Sequence, residues 1–158
     1  MQEAKPIVGQ YWQGHGGIYA GLIREGDQQF HLIMATGEQA AAKLPWGKFG
    51  EEIEGEFSFV NGQHNTQLIL AADPENAAAK FVTTINIEGH TDFYWPAQKE
   101  QNLLYINLQD QCDAVWHWSS TQYSAHDAWF TDFEDGYQDL SYKDYSYAVR
   151  AVRRELAI

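Results

Sequence analysis

The sequence predicts an α+β fold in a single domain that spans residues 1–158, and three observations lead to this prediction. Candidate strands lie at both ends of the chain and outnumber the candidate helices, which cluster in the middle. A length of 158 residues suits one domain with its own core. The chain also lacks a linker-like stretch, a low-complexity tract or an internal repeat that would mark a domain boundary.

The N-terminal segment predicts a hairpin preceded by a short strand. Ile18 to Arg24 alternates weakly, Gln28 to Ala35 has a strand composition, and Glu25-Gly26-Asp27 between them is a turn signal. The glycine-rich turn Gly14 to Gly17 separates this hairpin from Gln10 to Trp12, which we expect to form a strand of its own.

The middle of the chain predicts two short helices after a loop that begins at Pro45-Trp46-Gly47. Asn61-Gly62 is expected to be a turn, and Asn65-Thr66 is expected to cap a helix over Gln67 to Ala72. Asp73 is the predicted N-cap of the second helix, with Pro74 at its first position.

A third helix and several strands are predicted in the rest of the chain. Pro96 opens the helix, which should bury a stripe of leucines at Leu103, Leu104 and Leu108. The predicted strands are Trp116 to Thr121, Ala128 to Phe133, a returning strand at Tyr137 to Tyr142 after the turn at Glu134-Asp135-Gly136, and one closing strand at Tyr147 to Leu156.

Charge and composition narrow the class of partner. The net charge of −12 disfavours nucleic acid, whose phosphates require a basic surface, and it disfavours anionic membrane surfaces. No apolar run is long enough to cross a bilayer, and Met1 to Gln10 does not have the pattern of a secretory signal. The only cysteine, Cys112, excludes an intramolecular disulfide and any paired-cysteine site. We therefore expect synthesis in a cytoplasm without a signal peptide, and no membrane insertion.

The sequence proposes no catalytic or metal site and no cofactor. Its six histidines lack a metal-ligand spacing and are expected on the surface or satisfied in the core; they are His15, His31, His64, His90, His117 and His126. Ser119 and Ser120 are not in a nucleophile-elbow motif. Cys112 lies between Asp110 and Asp113, which disfavour a thiolate.

The positive signal is a surface rich in aromatic residues. Aromatic residues make up 15% of the chain, with six Trp and nine Tyr. After residue 122, tyrosines alternate with Ser, Asp and Gly, a mixture typical of binding surfaces and suited to stacking on sugars. The predicted ligand-binding residues are Tyr123, Trp129, Tyr137, Asp139, Tyr142 and Tyr145. In the alternative interpretation these rings simply pack on strands; Trp118 is expected in the core.

The same part of the chain resembles a known family. Trp118-Ser119-Ser120-Thr121-Gln122-Tyr123, Ala128-Trp129, Phe133, Gly136, Lys143 and Arg150-Ala151-Val152-Arg153-Arg154 are similar to the signature of the Lcl C-terminal-type domain. This family occurs in tailed-phage and bacterial surface proteins. Asn61-Gly62 with Asn65-Thr66, Tyr94-Trp95-Pro96, and the N-terminal Gly9-Gln10-Tyr11-Trp12 also fit the resemblance. One departure is Ala97, where the family has a capping Thr.

The resemblance implies a C-type-lectin-like fold with mixed and antiparallel sheets, two to three short helices and a long loop-rich region that presents the ligand. It implies a non-catalytic, virion-associated binding domain on a phage tail or fibre. The expected partners are a host-surface glycan or protein, other virion proteins, and a second copy of the chain. The first alternative is a structural decoration or adaptor subunit of the virion. The second is an enzyme related to the formylglycine-generating enzymes, although their paired cysteines and His-rich metal site are not visible in this sequence.

Overall fold

A computed structural model describes residues 5–37 and 40–157 and places there nine strands, three α-helices and one short 3-10 helix (Gln109–Gln111). The strands are β1 (Tyr11–Trp12), β2 (Gly17–Glu25), β3 (Gln28–Met34), β4 (Ala41–Pro45), β5 (Trp116–Gln122), β6 (Asp127–Asp132), β7 (Gln138–Tyr142), β8 (Ser146–Arg150) and β9 (Val152–Leu156). The helices are α1 (Gly62–Ala72), α2 (Ala77–Thr83) and α3 (Gln98–Leu108). This arrangement confirms the predicted α+β class.

The four-stranded sheet has the order β1-β2-β3-β9, and all its neighbouring strands are antiparallel. The predicted hairpin is confirmed as β2 and β3, and the predicted short strand is β1. The register shifts between Tyr19 and Gly21, where Gly21 has a φ of +110°. Such a bulge suits glycine, because other residues rarely adopt a positive φ.

The five-stranded sheet has the order β4-β8-β5-β6-β7. Its pairings are antiparallel except between β5 and β8, which run parallel and pair at His117 and Ala148. The edge strand β4 was not predicted, because its sequence AAKLP has few β-branched or aromatic residues. It forms because it pairs with β8 over its whole length.

The single closing strand predicted at Tyr147 to Leu156 is wrong. The structure divides this segment into β8, in the five-stranded sheet, and β9, in the four-stranded sheet. The break falls at the buried Ala151, whose carbonyl accepts from the Ala35 amide at 3.0 Å and whose amide donates to the Ala40 carbonyl at 3.4 Å. These two hydrogen bonds fix the point at which the chain passes from the five-stranded sheet to the four-stranded sheet.

Helix α1 begins five residues earlier than predicted. The Asn61 side chain is its N-cap and accepts from the His64 amide at 3.0 Å, so Asn61-Gly62 starts a helix rather than forming a turn. The predicted cap, Asn65-Thr66, lies inside the helix and is buried. Asn65 there donates to the Ser58 carbonyl, and Thr66 accepts from the Trp95 amide.

Helix α2 is capped by Asn76 rather than by the predicted Asp73. The Asn76 side chain accepts from the Ala79 amide at 3.0 Å and donates to the Trp46 carbonyl at 2.9 Å. The second bond is a tertiary contact over 30 positions of sequence, which local propensity does not reveal. Asp73 instead accepts from the Glu75 amide in a turn before the helix.

Helix α3 begins at Gln98, two residues after Pro96. Glu100 accepts from the Ala97 amide at 3.1 Å and so satisfies one of the backbone amides at the start of the helix. Leu104 and Leu108 are fully buried as predicted, whereas Leu103 is only partly buried. Three buried tryptophans, Trp46, Trp95 and Trp118, form the centre of the larger core cluster together with small alanines of α2.

Residues 46–60 form an irregular segment between β4 and α1, consistent with the predicted loop-rich region. Within residues 5–37 and 40–157, no helix is long and apolar enough to cross a membrane.

We expect Gly62→Ala to destabilise the fold by roughly 2–3 kcal/mol. A Cβ at this position would lie 2.8 Å from the carbonyl carbon of Pro96 and closer still to backbone atoms of Trp95 and Ala97. Backbone cannot move aside without separating α1 from the start of α3. Urea unfolding of Gly62→Ala beside the exposed control Gln63→Ala measures the effect, and equal stabilities of the two variants would contradict this packing.

Candidate ligand-binding surface

The structure leaves most of the predicted ligand-binding residues accessible. Tyr123 is 61% exposed, and Tyr137, Tyr142 and Tyr145 are 50–53% exposed. Asp139 is also exposed, whereas Trp129 is half-buried. Trp118 is fully buried, as predicted.

These residues fall into two groups rather than one patch. Trp129 and Tyr123 belong with Phe59 in a small group that we call the Trp129 cluster. The Trp129 ring lies 6.0 Å from the Phe59 ring and 6.4 Å from the Tyr123 ring, measured between centroids. Phe59 comes from the irregular segment before α1, which the sequence did not connect with this site.

The other predicted tyrosines belong to a continuous row of ring contacts, which we call the aromatic stripe. Its members, in order of contact, are Phe49, Tyr142, Tyr145, Tyr147, Trp116, Phe130 and Tyr137. Successive centroids are 4.2–6.5 Å apart along this order, within or close to the range of favourable aromatic pairs. Phe130 is buried and anchors the stripe in the core.

The turn Tyr142–Tyr145, between β7 and β8, is fastened to the core through its backbone. The Lys143 carbonyl accepts from the Trp46 amide at 2.9 Å, and the Tyr145 carbonyl accepts from the buried Trp118 indole at 2.9 Å. The Lys143 amide donates to the His126 carbonyl at 3.0 Å. The backbone that carries the two exposed tyrosines is therefore held in place before any ligand arrives.

Lys143 itself is fully buried beneath this turn. Its ammonium donates to the Gln122 side-chain oxygen at 2.7 Å and to the Glu51 carbonyl at 2.9 Å, and it lies 4.6 Å from the centre of the Trp46 ring. Burial lowers the pKa of Lys143 to about 8, and nearby carboxylates of Glu51 and Glu52 oppose this shift. The bonds join the turn to the irregular segment 46–60.

At the far end of the stripe, Tyr137 and Asp139 form a polar pair. The Tyr137 hydroxyl donates to the Asp139 carboxylate, which also accepts from the Leu140 amide at 2.7 Å. The hydrogen bond with the carboxylate raises the pKa of Tyr137, and the hydroxyl lowers the pKa of Asp139. The pair presents a ring edge with an ionised oxygen beside it, which can accept a hydrogen bond from a ligand.

Beside the stripe lies a groove of about 650 Å³, which we call the Trp116 groove. Trp116 and Tyr147 line it together with small residues of β4 and β8, and the carboxylates of Asp113, Asp132 and Glu134 stand around it. Lys43 of β4 is its single basic lining residue. A volume of this size is within the range of ligand sites.

Sequence reasoning missed Phe49 and Trp116 as surface residues. The alternation in Trp116-His117-Trp118 contains a usable signal, because it places the two tryptophans on one face of β5, with Trp116 at the strand's exposed start. Phe49 has no such signal. It lies in an irregular segment and meets Tyr142 only through the tertiary fold, with ring centroids 5.3 Å apart.

The histidines and the cysteine make structural contacts. Burial lowers the pKa of His117 to about 4, and its Nδ1 lies 2.9 Å from the Val115 carbonyl. His15 pairs with the Glu155 carboxylate at 2.8 Å. Burial raises the pKa of Cys112, whose thiol contacts the Met34 sulfur. Among the described residues, no three His, Cys, Asp or Glu side chains are placed to hold a metal ion.

The most strongly perturbed acid, Glu100, lies in the interior away from the stripe. It accepts from the Gly62 amide at 2.7 Å, from the Ala97 amide, and from the Tyr94 hydroxyl. Burial raises the pKa of Glu100 to about 7 and the pKa of Tyr94 well above its ordinary value. Both side chains are closed off from solvent, so this carboxyl joins α1 to α3 and does not face a ligand.

No protein-family model matches this sequence, and no curated protein gives a significant match to it.

Proposed function

We propose that this chain is a non-catalytic binding domain and that the Tyr142–Tyr145 turn, with the adjoining aromatic stripe, is its ligand surface. One observation carries the proposal: two half-exposed tyrosines stand on a turn whose backbone is bonded to Trp46 and Trp118 of the core. A surface that is already ordered loses little conformational entropy on binding. Tyrosines on a turn with a fixed backbone therefore suit recognition.

The chemistry of this surface suits a host-surface glycan or a protein. Tyrosine rings stack on the apolar faces of sugars, and their hydroxyls exchange hydrogen bonds with polar ligand groups. Asp139 and Asp144 stand exposed near the rings and can accept hydroxyl protons. The net charge of −12 disfavours nucleic acid as the ligand.

We place this domain on a virion, as part of a phage tail or fibre, with a C-type-lectin-like fold. The sequence resemblance to the Lcl C-terminal-type family supports this setting. The two sheets, the three short helices and the irregular segment 46–60 are consistent with such a fold. The alternative is a decoration or adaptor subunit that buries the same aromatic stripe against another virion protein.

The test is binding of the purified, labelled chain to arrayed bacterial glycans and to intact cells, with and without a chelator. Tyr142→Ala and Tyr145→Ala should each weaken binding by about tenfold, equivalent to about 1.4 kcal/mol, because each removes a pre-ordered ring. Tyr11→Ala is the matched control, since Tyr11 is 43% exposed on the four-stranded sheet.

Thermal unfolding of each variant separates lost contacts from lost structure. Binding that is unaffected by both turn variants would reject this surface as the ligand site. A well-folded chain that binds no cell or glycan, but binds purified virion particles through the stripe, would favour the structural alternative.

A further inference from the structure

One part of the Trp116 indole faces the Trp116 groove. Phe130 stacks on one side of the Trp116 indole, with centroids 4.2 Å apart and planes 13° apart, and Tyr147 meets the indole at 62°. Trp116 is nevertheless 39% exposed and lines the groove. The face opposite Phe130 is therefore the face that a ligand would meet, and the buried Phe130 holds it in position.

Carboxylates surround this face. Asp132 is the cross-strand partner of Trp116, so the two side chains lie on the same side of the five-stranded sheet as immediate neighbours. Asp132 is held by accepting from the Glu134 amide at 2.9 Å, and Asp113 and Glu134 also line the groove. None of the ion pairs in residues 5–37 and 40–157 uses these three carboxylates.

The charge and shape of the groove lining indicate which kind of ligand it suits. Three carboxylates against one ammonium, Lys43, leave two net negative charges in the lining. A flat cation can stack on an indole and donate two parallel hydrogen bonds to a carboxylate, and the arginine guanidinium does both. An ammonium lacks the two parallel N–H donors of a planar guanidinium, and a neutral sugar has no positive charge to balance the carboxylates.

We propose that the Trp116 groove binds an arginine side chain of a protein partner, stacked on Trp116 and paired with Asp132. A groove of about 650 Å³ has room for the residues that flank the arginine as well, which favours a polypeptide over a free amino acid. The groove shares Trp116 and Tyr147 with the aromatic stripe, but it does not include the Tyr142–Tyr145 turn. The turn variants and the Asp132 variant therefore test different residues, and either proposal can fail without the other.

The experiment follows the six tryptophan indole N–H signals by NMR, with the Trp116 signal assigned from Trp116→Phe. The probes are N-acetyl-arginine amide, its neutral analogue N-acetyl-citrulline amide, N-acetyl-lysine amide and the peptide acetyl-Gly-Arg-Gly-amide. We expect the arginine probe to shift the Trp116 signal saturably, and the citrulline and lysine probes to bind at least fivefold more weakly. The peptide should bind more tightly than the arginine amide.

Asp132→Asn tests the charge without removing the local bond, because the asparagine oxygen can still accept from the Glu134 amide. This variant should weaken binding of the arginine probe at least fivefold. Asp27→Asn makes the same charge change in the β2–β3 turn and should leave binding of the probe unchanged. Equal binding of citrulline or lysine, unchanged binding in Asp132→Asn, or no saturable shift at Trp116 would overturn the arginine site. A peptide that binds no better than arginine amide would overturn the assignment to a polypeptide.

Discussion

Replacing Glu100 by alanine is expected to lower the free energy of unfolding by about 3–5 kcal/mol. The Glu100 carboxyl satisfies two buried amides, those of Gly62 and Ala97, and it also accepts from the Tyr94 hydroxyl. Alanine would leave all three donors without a partner in the interior and would remove the bond between the starts of α1 and α3. Urea unfolding measures the loss.

The same residue gives the fold a specific pH dependence. Burial raises the pKa of Glu100 to about 7 from an ordinary value of 4.5, so the folded chain holds a proton that the unfolded chain releases. The resulting stabilisation is present below about pH 4.5 and is lost as the pH rises through about 7; it amounts to about 3 kcal/mol. Glu100→Gln should remove this part of the pH profile.

The control for this comparison is Glu75→Gln, which removes an exposed carboxyl at the surface. His117 does not obscure the result, because its lowered pKa acts in the opposite direction and is present in all three proteins. Parallel pH profiles of Glu100→Gln and the unmodified chain would show that the carboxyl is ionised in the fold throughout this range.

Lys143→Met should destabilise the fold by about 2–4 kcal/mol and should also weaken ligand binding. Methionine keeps the aliphatic packing beside Trp46 but removes the donor of the Glu51 carbonyl and one of the two donors of the Gln122 oxygen, which still accepts from the Ile53 amide. The turn that carries Tyr142 and Tyr145 would then lose one attachment to segment 46–60. The two tyrosines would therefore lose more conformational entropy on binding.

Lys48→Met is the matched control for this prediction, because Lys48 is exposed in the same irregular segment. Its effect on stability should be within about 0.5 kcal/mol. Unfolding and glycan or cell binding are measured on both variants at a temperature where both are folded. Lys143→Met that binds as tightly as the unmodified chain would show that the turn is held by its backbone bonds alone.

The candidate surface could be predicted only in part. The tyrosines at 137, 142 and 145 were recognised from composition, because rings spaced among Asp, Ser and Gly are rarely core residues. Which aromatic side chains contact one another could not be predicted from the sequence. Trp129 belongs with Phe59 across 70 positions of sequence, and Phe49 meets Tyr142 across 93, so each contact depends on where the irregular segment 46–60 is packed.

The role of Lys143 also could not be predicted from the sequence. A lysine between tyrosines in a polar turn has the ordinary appearance of a solvated residue. Its burial becomes visible only when Gln122 of β5 and the residues Trp46 and Glu51 of segment 46–60 are brought around it.

Local patterns in the sequence are sufficient to predict the α+β class, the β2–β3 hairpin, the strands β5, β6 and β7, and the existence of three helices in the middle. These features follow from short-range periodicity and turn residues, which act within a few positions of the chain. Four features became clear only from the folded chain: the start of α1, the cap of α2, the strand β4 and the division of the last segment at Ala151. The cap of α2 and the division at Ala151 depend on bonds to distant segments, Asn76 to Trp46 and Ala151 to Ala40. The start of α1 adds the bond from the Gly62 amide to Glu100 to its local cap, and β4 forms by pairing with β8. The energy of these long-range bonds has no local signature in the sequence.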